Sequence, residues 1–163
     1  MRVLIHDRDI TISDPEKEKY DRVIYADGRY APCQGCFKCW TKTPATCVLK
    51  DSLQEMCRII GLADELVIVT ENWYGGYSPA VKNILDRSIG ISTPMSTYRG
   101  RQMHHTLRYG GCSTVRIYVT GDVSDKEKET WKLLVERNAL NWGASGHEVI
   151  FSDLPDDMEG TDL

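Results

Sequence analysis

The chain has 163 residues, 41% of them hydrophobic and 27% charged, with a formal net charge of −4. That length and hydrophobic share give room for one domain with a full core and exclude a disordered chain. Mixed charge of net negative sign argues against a nucleic-acid surface, and no apolar run approaches the roughly 20 residues that a bilayer demands.

In chain order, "RVLIHD" (2–7) is the first short β-branched run, and it follows the start of the chain without the pattern of a signal peptide. The six cysteines are therefore expected in the cytoplasm, as thiols or metal ligands rather than disulfides. Next comes "RDITISDPEKEKYD", in which only "SDPEKEKY" suits a helix, about two turns capped by Ser13 with Glu16. "RVIYAD" (22–27) is the second strand, and a connection rich in cysteine follows it. Asp51 with Gln54 caps a helix whose Leu53, Met56, Cys57 and Ile60 share one apolar face. "ELVIVT" (65–70) is the third strand, followed by "ENWYGGYS". Ser78-Pro79 is an N-cap with proline at the first helical position, opening "AVKNILDRS". Residues 88–110 are too long for a median connection, and within them "YRGRQMHHTLRYG" (98–110) reads as loop-like turns. "TVRIYVT" (114–120) is the fourth strand, and Ser124 with Glu127 is a capping box for the helix carrying Trp131, Leu134, Val135 and Leu140. "HEVIFS" (147–152) is a weaker fifth strand, and an acidic tail begins at about 153.

Strand followed by helix, several times over, predicts a single α/β domain over residues 1–163, a three-layer sandwich around a five-stranded parallel sheet of order 2-1-3-4-5. The span between Asp7 and Arg22 is short for a crossover, so the first helix should be two turns or fewer. Ligands of such sheets bind beyond the C-terminal strand ends, which here carry residues 8–14, 28–48, 71–78 and 120–123. The cysteine run and the aromatic-glycine stretch both fall on that expected edge.

"CQGCFKCW", then "CVLKDSLQEM", then a strand and "NWYGGYSPAVKNILDRS" together resemble the flavodoxin-like NAD(P)H-dependent FMN reductases. Within them the chain is most similar to the branch that shares its cysteine pattern with iron-sulfur flavoproteins. The resemblance implies FMN at the strand edge, NAD(P)H as electron donor, an assembly of two or four copies, and a loop over Glu71–Ser78 packed against the flavin ring. Relatives often place a proline early in that loop, where this chain has Glu71 and Asn72. Chemically, Gly75 and Gly76 allow main chain to approach a ring edge, with their N–H groups facing its N5 or carbonyl oxygens. Trp73, Tyr74 or Tyr77 supply stacking, and Ser78 completes the set. The alternative is an ordinary turn whose aromatics pack on the neighbouring helix.

The resemblance fails at the first loop. A flavin phosphate is usually enclosed by Gly, Ser and Thr ahead of a long helix. This chain has no glycine there, and Asp7, Asp9 and Asp14 lie close by. Arg8, Thr11 and Ser13 are the groups left to compensate.

Cys33, Cys36, Cys39 and Cys47 are spaced C-x2-C-x2-C-x7-C. Tight C-x2-C steps bring thiolates together in a loop, as a [4Fe-4S] cluster requires, and four thiolates also suit zinc. The resemblance implies the cluster; free thiols in a structured loop are the remaining reading. Cys57 and Cys112 read as small core residues. Adjacent His104 and His105 should point apart, and no Ser, His and Asp set has the setting that hydrolysis needs.

Three functions are therefore in play. The first is an FMN-dependent NAD(P)H oxidoreductase passing electrons to a small-molecule or protein acceptor. The second is an iron-sulfur electron carrier, with or without flavin. The third is a flavodoxin-shaped binding protein that has lost FMN. A homodimer is expected, formed through residues 88–110 with Met95 and Met103.

Overall fold

The computed structural model describes residues 1–7 and 18–152. In chain order the elements are β1 (Arg2–His6), β2 (Arg22–Tyr25), α1 (Lys38–Thr41), α2 (Met56–Gly61), β3 (Glu65–Glu71) and α3 (Pro79–Arg87), then a 3-10 turn (Ile89–Ile91). The hairpin strands β4 (Ser92–Arg99) and β5 (Gln102–Leu107) follow, then β6 (Thr114–Thr120), α4 (Asp125–Trp142) and β7 (Gly146–Phe151). The five main strands are parallel and ordered β2-β1-β3-β6-β7, so the expected 2-1-3-4-5 sheet is present. The expected first crossover helix, the candidate residues Arg8, Thr11 and Ser13, and the acidic tail fall on residues 8–17 and 153–163, outside the described residues.

The central strands are buried because they are apolar on both faces: all of Leu66–Thr70 is inaccessible to solvent. On one face Val3, Ile5, Leu66, Ile68, Val115 and Ile117 meet α2, α3 and α4 through Met56, Ile60, Val81, Ile84, Trp131 and Val135. On the other, Leu4, Val67 and Val69 join Tyr20. A charged row crosses that second face: Arg2 pairs with Glu65 at 2.6 Å, Arg116 with Glu65 at 3.0 Å, and Arg116 with Glu148 at 3.2 Å.

The caps read from sequence are in place. Ser78 Oγ accepts from Val81 N ahead of α3, and Ser124 and Glu127 form the reciprocal box of α4. The helix expected from Asp51 begins later, at Met56. Asp51 still accepts from Leu53 N at 3.1 Å, but its carboxylate is drawn to Arg87 and to Ala31 N.

The long connection of residues 88–110, with loop-like turns expected over 98–110, is mostly an antiparallel hairpin, β4–β5, turning at Gly100 with φ of 60°. Pro94 breaks the alternation that would have announced it and falls in a register shift between Ser92 and Ser96. The hairpin is held by tertiary contacts: Arg99 donates to Leu140 O, and His104 Nδ1 lies 3.2 Å from Asn141 Oδ1. The His105 ring sits 4.7 Å from that of Trp40, so the two histidines serve different neighbours.

Arg87 ties the irregular segment between β2 and α2 to α3. Its side chain is 0% exposed and grips Asp51 through both Nη atoms, at 2.8 and 2.7 Å. That bidentate pairing holds the Asp51 carboxyl down to about 2, against the opposing effect of burial. A lowered carboxyl stabilises the fold fully above its ordinary value and ceases to do so as pH falls through the folded value. Asp51→Asn should therefore cost at least about 2 kcal/mol at neutral pH. In urea unfolding, the gap to wild type should narrow as pH falls from 3.8 to about 2.

Candidate functional site

The C-terminal end of the sheet is where strand order reverses, and the loop after β3 dominates it. Its stem is closed by two side chains. Thr70 Oγ1 donates to Asp7 Oδ2 at 3.0 Å and accepts from Ser78 N at 3.1 Å, joining the two ends of the loop. Asp7 also accepts from Glu71 N at 3.1 Å, so this acid at the end of β1 clamps β3.

Within the loop, Asn72 is the hub. Its N–H continues the sheet to Thr120 O at 3.0 Å. Its Oδ1 accepts from Trp131 Nε1 at 2.9 Å and from Gly75 N at 3.1 Å, while Nδ2 donates to Asp122 O at 2.8 Å. One amide thus ties the loops after β3 and β6 to α4.

Trp73 and Gly76 exchange both backbone hydrogen bonds, at 2.9 and 3.0 Å, around Tyr74 and Gly75. Both central residues have positive φ, 52° and 82°, as a primed hairpin turn requires. Gly75 suits this, and a Cβ there would also stand 3.2 Å from Thr130 on α4. Tyr74 does not suit it: a tyrosine in the left-handed region stores on the order of 1–3 kcal/mol of strain. Its ring is nevertheless 92% exposed.

The turn sorts the candidate residues. Trp73, 47% exposed, and Tyr74 stand at the sheet edge, their rings edge-to-face at 6.5 Å. Trp73 Nε1 donates to Glu71 Oε2 at 3.2 Å. Tyr77 faces inward; its hydroxyl accepts from Asn138 Nδ2 at 3.1 Å and its ring meets Trp131 edge-on at 4.9 Å. Burial pushes its phenol up to about 12. Ser78 is a buried helix cap. The expectation that the Gly75 and Gly76 N–H groups face a ring is corrected: Asn72 Oδ1 takes one and Trp73 O the other. Sequence reasoning passed over Asn72, Asp7 as a clamp, and Tyr30, whose hydroxyl donates to Ala80 O at 2.8 Å and fixes the loop after β2 to α3.

The cysteine run was expected on the same edge and lies elsewhere. Cys33, Cys36, Cys39 and Cys47 line a cavity of about 60 Å3 with Arg87 and Ile89, at the C-terminal end of α3, whereas the aromatic turn joins its N-terminal end. A helix of this length separates its two ends by about 13 Å. All six cysteines are free thiols. Burial, then the neighbouring Cys47, Cys33 and Cys36, push the Cys39 thiol up, and burial pushes Cys57 up to about 12. Among the described residues no three His, Cys, Asp or Glu side chains are arranged to hold a metal ion. A larger cavity of about 560 Å3 opens between α3, α4 and the hairpin, walled by Trp40, Tyr77, Leu134 and Trp142.

Asn72→Ala should leave the Trp131 indole N–H buried without an acceptor and release the turn at Gly75. The expected cost is about 1–3 kcal/mol for the orphaned donor. Urea unfolding should register it, with faster amide exchange at residues 73–76.

A sequence profile described as NADPH-dependent FMN reductase matches residues 19–107, more than half of the chain. No curated protein sequence matches. Among solved structures, the chain is similar to an NAD(P)H:quinone oxidoreductase from Methanothermobacter marburgensis, at 13% identity and TM-score 0.53, over 96% of this chain and 88% of that one. A Streptococcus mutans protein aligns at 13% identity and TM-score 0.55, over 96% and 92% of the two chains. An FMN-dependent NADH-azoreductase from Bacillus anthracis, solved with FMN, aligns at 15% identity and TM-score 0.52, over 91% and 84%. At such identities the likeness to solved structures is one of fold. The profile match takes in β2, β3, the aromatic turn and α3, and on that ground the chain belongs to the NADPH-dependent FMN reductase family.

Proposed function

We propose that this NAD(P)H-dependent flavin oxidoreductase holds FMN at the C-terminal edge of its sheet, with the isoalloxazine ring against Trp73 and Tyr74. The flavin supplies the two-electron chemistry, taking hydride from a nicotinamide and handing electrons to an acceptor. The chain's own work is to stack, orient and exclude water. The observation that carries this reading is Tyr74, which stays in a strained backbone conformation while its ring is left in solvent. Strain of that kind gathers at ligand sites, where binding repays it. The ring end of FMN fits the described residues, because the two aromatic faces are open and the acid beside them, Asp7, is engaged by Thr70 and Glu71. The phosphate is assigned to Arg8, Thr11 and Ser13 on their chemistry, one cation and two hydroxyls.

An iron-sulfur cluster does not fit equally well. The four thiols share a cavity without metal-binding arrangement, and a helix separates them from the aromatic turn. The reading takes them as thiols of a reducing, cytoplasmic compartment.

The assembly we propose is a homodimer built on the β4–β5 hairpin. A two-stranded sheet is marginal alone. This one exposes Met95, Tyr98 and Met103 at 69%, 73% and 67%, with Tyr98 and Met103 directly paired across the strands. A second copy related by two-fold symmetry would cover like with like. Light scattering should give twice the chain mass for wild type at micromolar concentration, and the monomer mass for Met103→Glu.

Flavin titration tests the ring site. Tyr74→Ala should weaken FMN binding by about tenfold through lost stacking. Gly76→Leu is the sharper probe, because a Cβ there meets only Trp73 O at 3.6 Å, so the fold accepts it. Near-wild-type stability with FMN affinity reduced at least about tenfold is the expected result. Unchanged affinity in both variants would make the turn merely structural. A colourless wild type that ignores added FMN would instead favour a binding protein that has lost its flavin.

A further inference from the structure

Arg87 is an arginine with a buried donor left unpaired. Of the guanidinium's five N–H groups, Nη1 serves Ala31 O at 2.7 Å and Asp51 Oδ2 at 2.8 Å, and Nη2 serves Asp51 Oδ1 at 2.7 Å. Nε is buried and has no hydrogen-bond partner. A charged donor left so is uncommon and costly, and it points to an acceptor that the resting side chains do not supply.

The guanidinium borders the cavity that holds the four thiols, and the rest of that wall is largely apolar, including Phe37, Val48, Leu49 and Ile89. Thiol sulfur is a weak acceptor. Cys47 interacts with the guanidinium, and it lines the same cavity as buried Cys39. A positive group facing the cavity disfavours a bare divalent cation there and favours a negative oxygen. The cavity's volume of about 60 Å3 has room for more than one water molecule, enough for an oxygen added to sulfur.

We propose that this cavity is a peroxide-reactive thiol site, in which Cys47 is oxidised and the Arg87 Nε–H binds the oxygen placed on its sulfur. The Cys47 sulfur attacks one oxygen of a hydroperoxide; an S–O bond forms, the O–O bond breaks, and the departing oxygen takes the thiol proton to leave as water or alcohol. Sulfur gives up two electrons and the peroxide receives them. Cys39 then attacks the Cys47 sulfenic acid; an S–S bond forms and the S–O bond breaks, releasing a second water. The oxidant the step needs is a hydroperoxide, hydrogen peroxide being the simplest. The site does not depend on where the flavin sits, and the test supplies the peroxide directly.

Reduced, oxygen-free wild-type protein is treated with equimolar hydrogen peroxide and dimedone, and adducts are located by peptide mass spectrometry. Half-buried Cys47 should be labelled at least about tenfold more than the more exposed Cys33 and Cys36. Without dimedone, a Cys39–Cys47 disulfide should replace the adduct. Arg87→Lys keeps a charge beside Asp51 but has no Nε–H, and should lose the preference for Cys47. Should that variant fail to fold, Cys47→Ser serves instead, removing adduct and disulfide while the labelling of Cys33 and Cys36 stays at the wild-type level. Labelling that follows exposure, with Cys33 and Cys36 ahead of Cys47, would overturn the proposal. So would an oxygen-free preparation carrying iron and sulfide that Cys47→Ser removes.

Discussion

The ion pair of Arg87 and Asp51 is the constraint on which the least regular part of the molecule depends. From the end of β2 to the start of α2 the described backbone contains one helix, Lys38–Thr41, and few ladder hydrogen bonds to fix it. Such a segment must satisfy its backbone groups and lose its conformational freedom by other means. Arg87 supplies them by projecting from α3 and gripping Ala31 O and Asp51 together, while Asp51 receives Ala31 N and Leu53 N. Both ends of the cysteine segment are thereby fixed at one point on a helix that is itself fixed to the core. The Trp40 indole adds a second anchor at Ile89 O, 2.9 Å away. Positive φ at Gly35, Phe37 and Ala45 shows how sharply the chain must turn between those anchors.

The aromatic turn repeats that logic on a smaller scale. Thr70 joins its ends, Asn72 fixes its middle, and Tyr77 seats its exit against Trp131. With the frame so determined, Tyr74 has little choice of backbone conformation, and its strain is held by side chains that are buried or half-buried. Gly75 belongs to the frame as much as to any ligand, because α4 passes too close for a side chain there.

Much of this was legible in the sequence, and the reason is locality. Buried parallel strands announce themselves as continuous β-branched runs, and helix caps lie within four residues of what they cap, so β3, β6, Ser78-Pro79 and the Ser124–Glu127 box could be read directly. What was illegible depends on distant partners. Asn72 reaches Trp131 across 59 positions, and nothing beside it in the chain announces that bond. Arg87 reads as an ordinary last-turn cation until Asp51, 36 positions away, is placed against it. The hairpin escaped for a related reason. Pro94 spoils its period of two, and its stability comes from Arg99, His104 and His105 meeting α4 and Trp40 rather than from turn chemistry. The cysteine run was misplaced because spacing alone cannot say at which end of a helix a loop will settle.

Asp7 shows why the unusual first loop need not be fatal to a flavin site. Read by position, an acid at the end of β1 is one more negative charge facing a phosphate. In the structure it is a strand-end clamp, its oxygens receiving Thr70 Oγ1 and Glu71 N from the neighbouring strand. Donors that approach a carboxylate this way offset part of its field in that direction and hold it away from the open edge. The same bonds make the stem of the aromatic turn stiffer than sheet pairing alone would. The first loop lacks the usual glycines, and under the proposed reading the stiff stem of the aromatic turn is what would hold the ring in place. For a reaction whose electrons move through the flavin and need no side-chain acid or base, the position of the ring is what the protein must control.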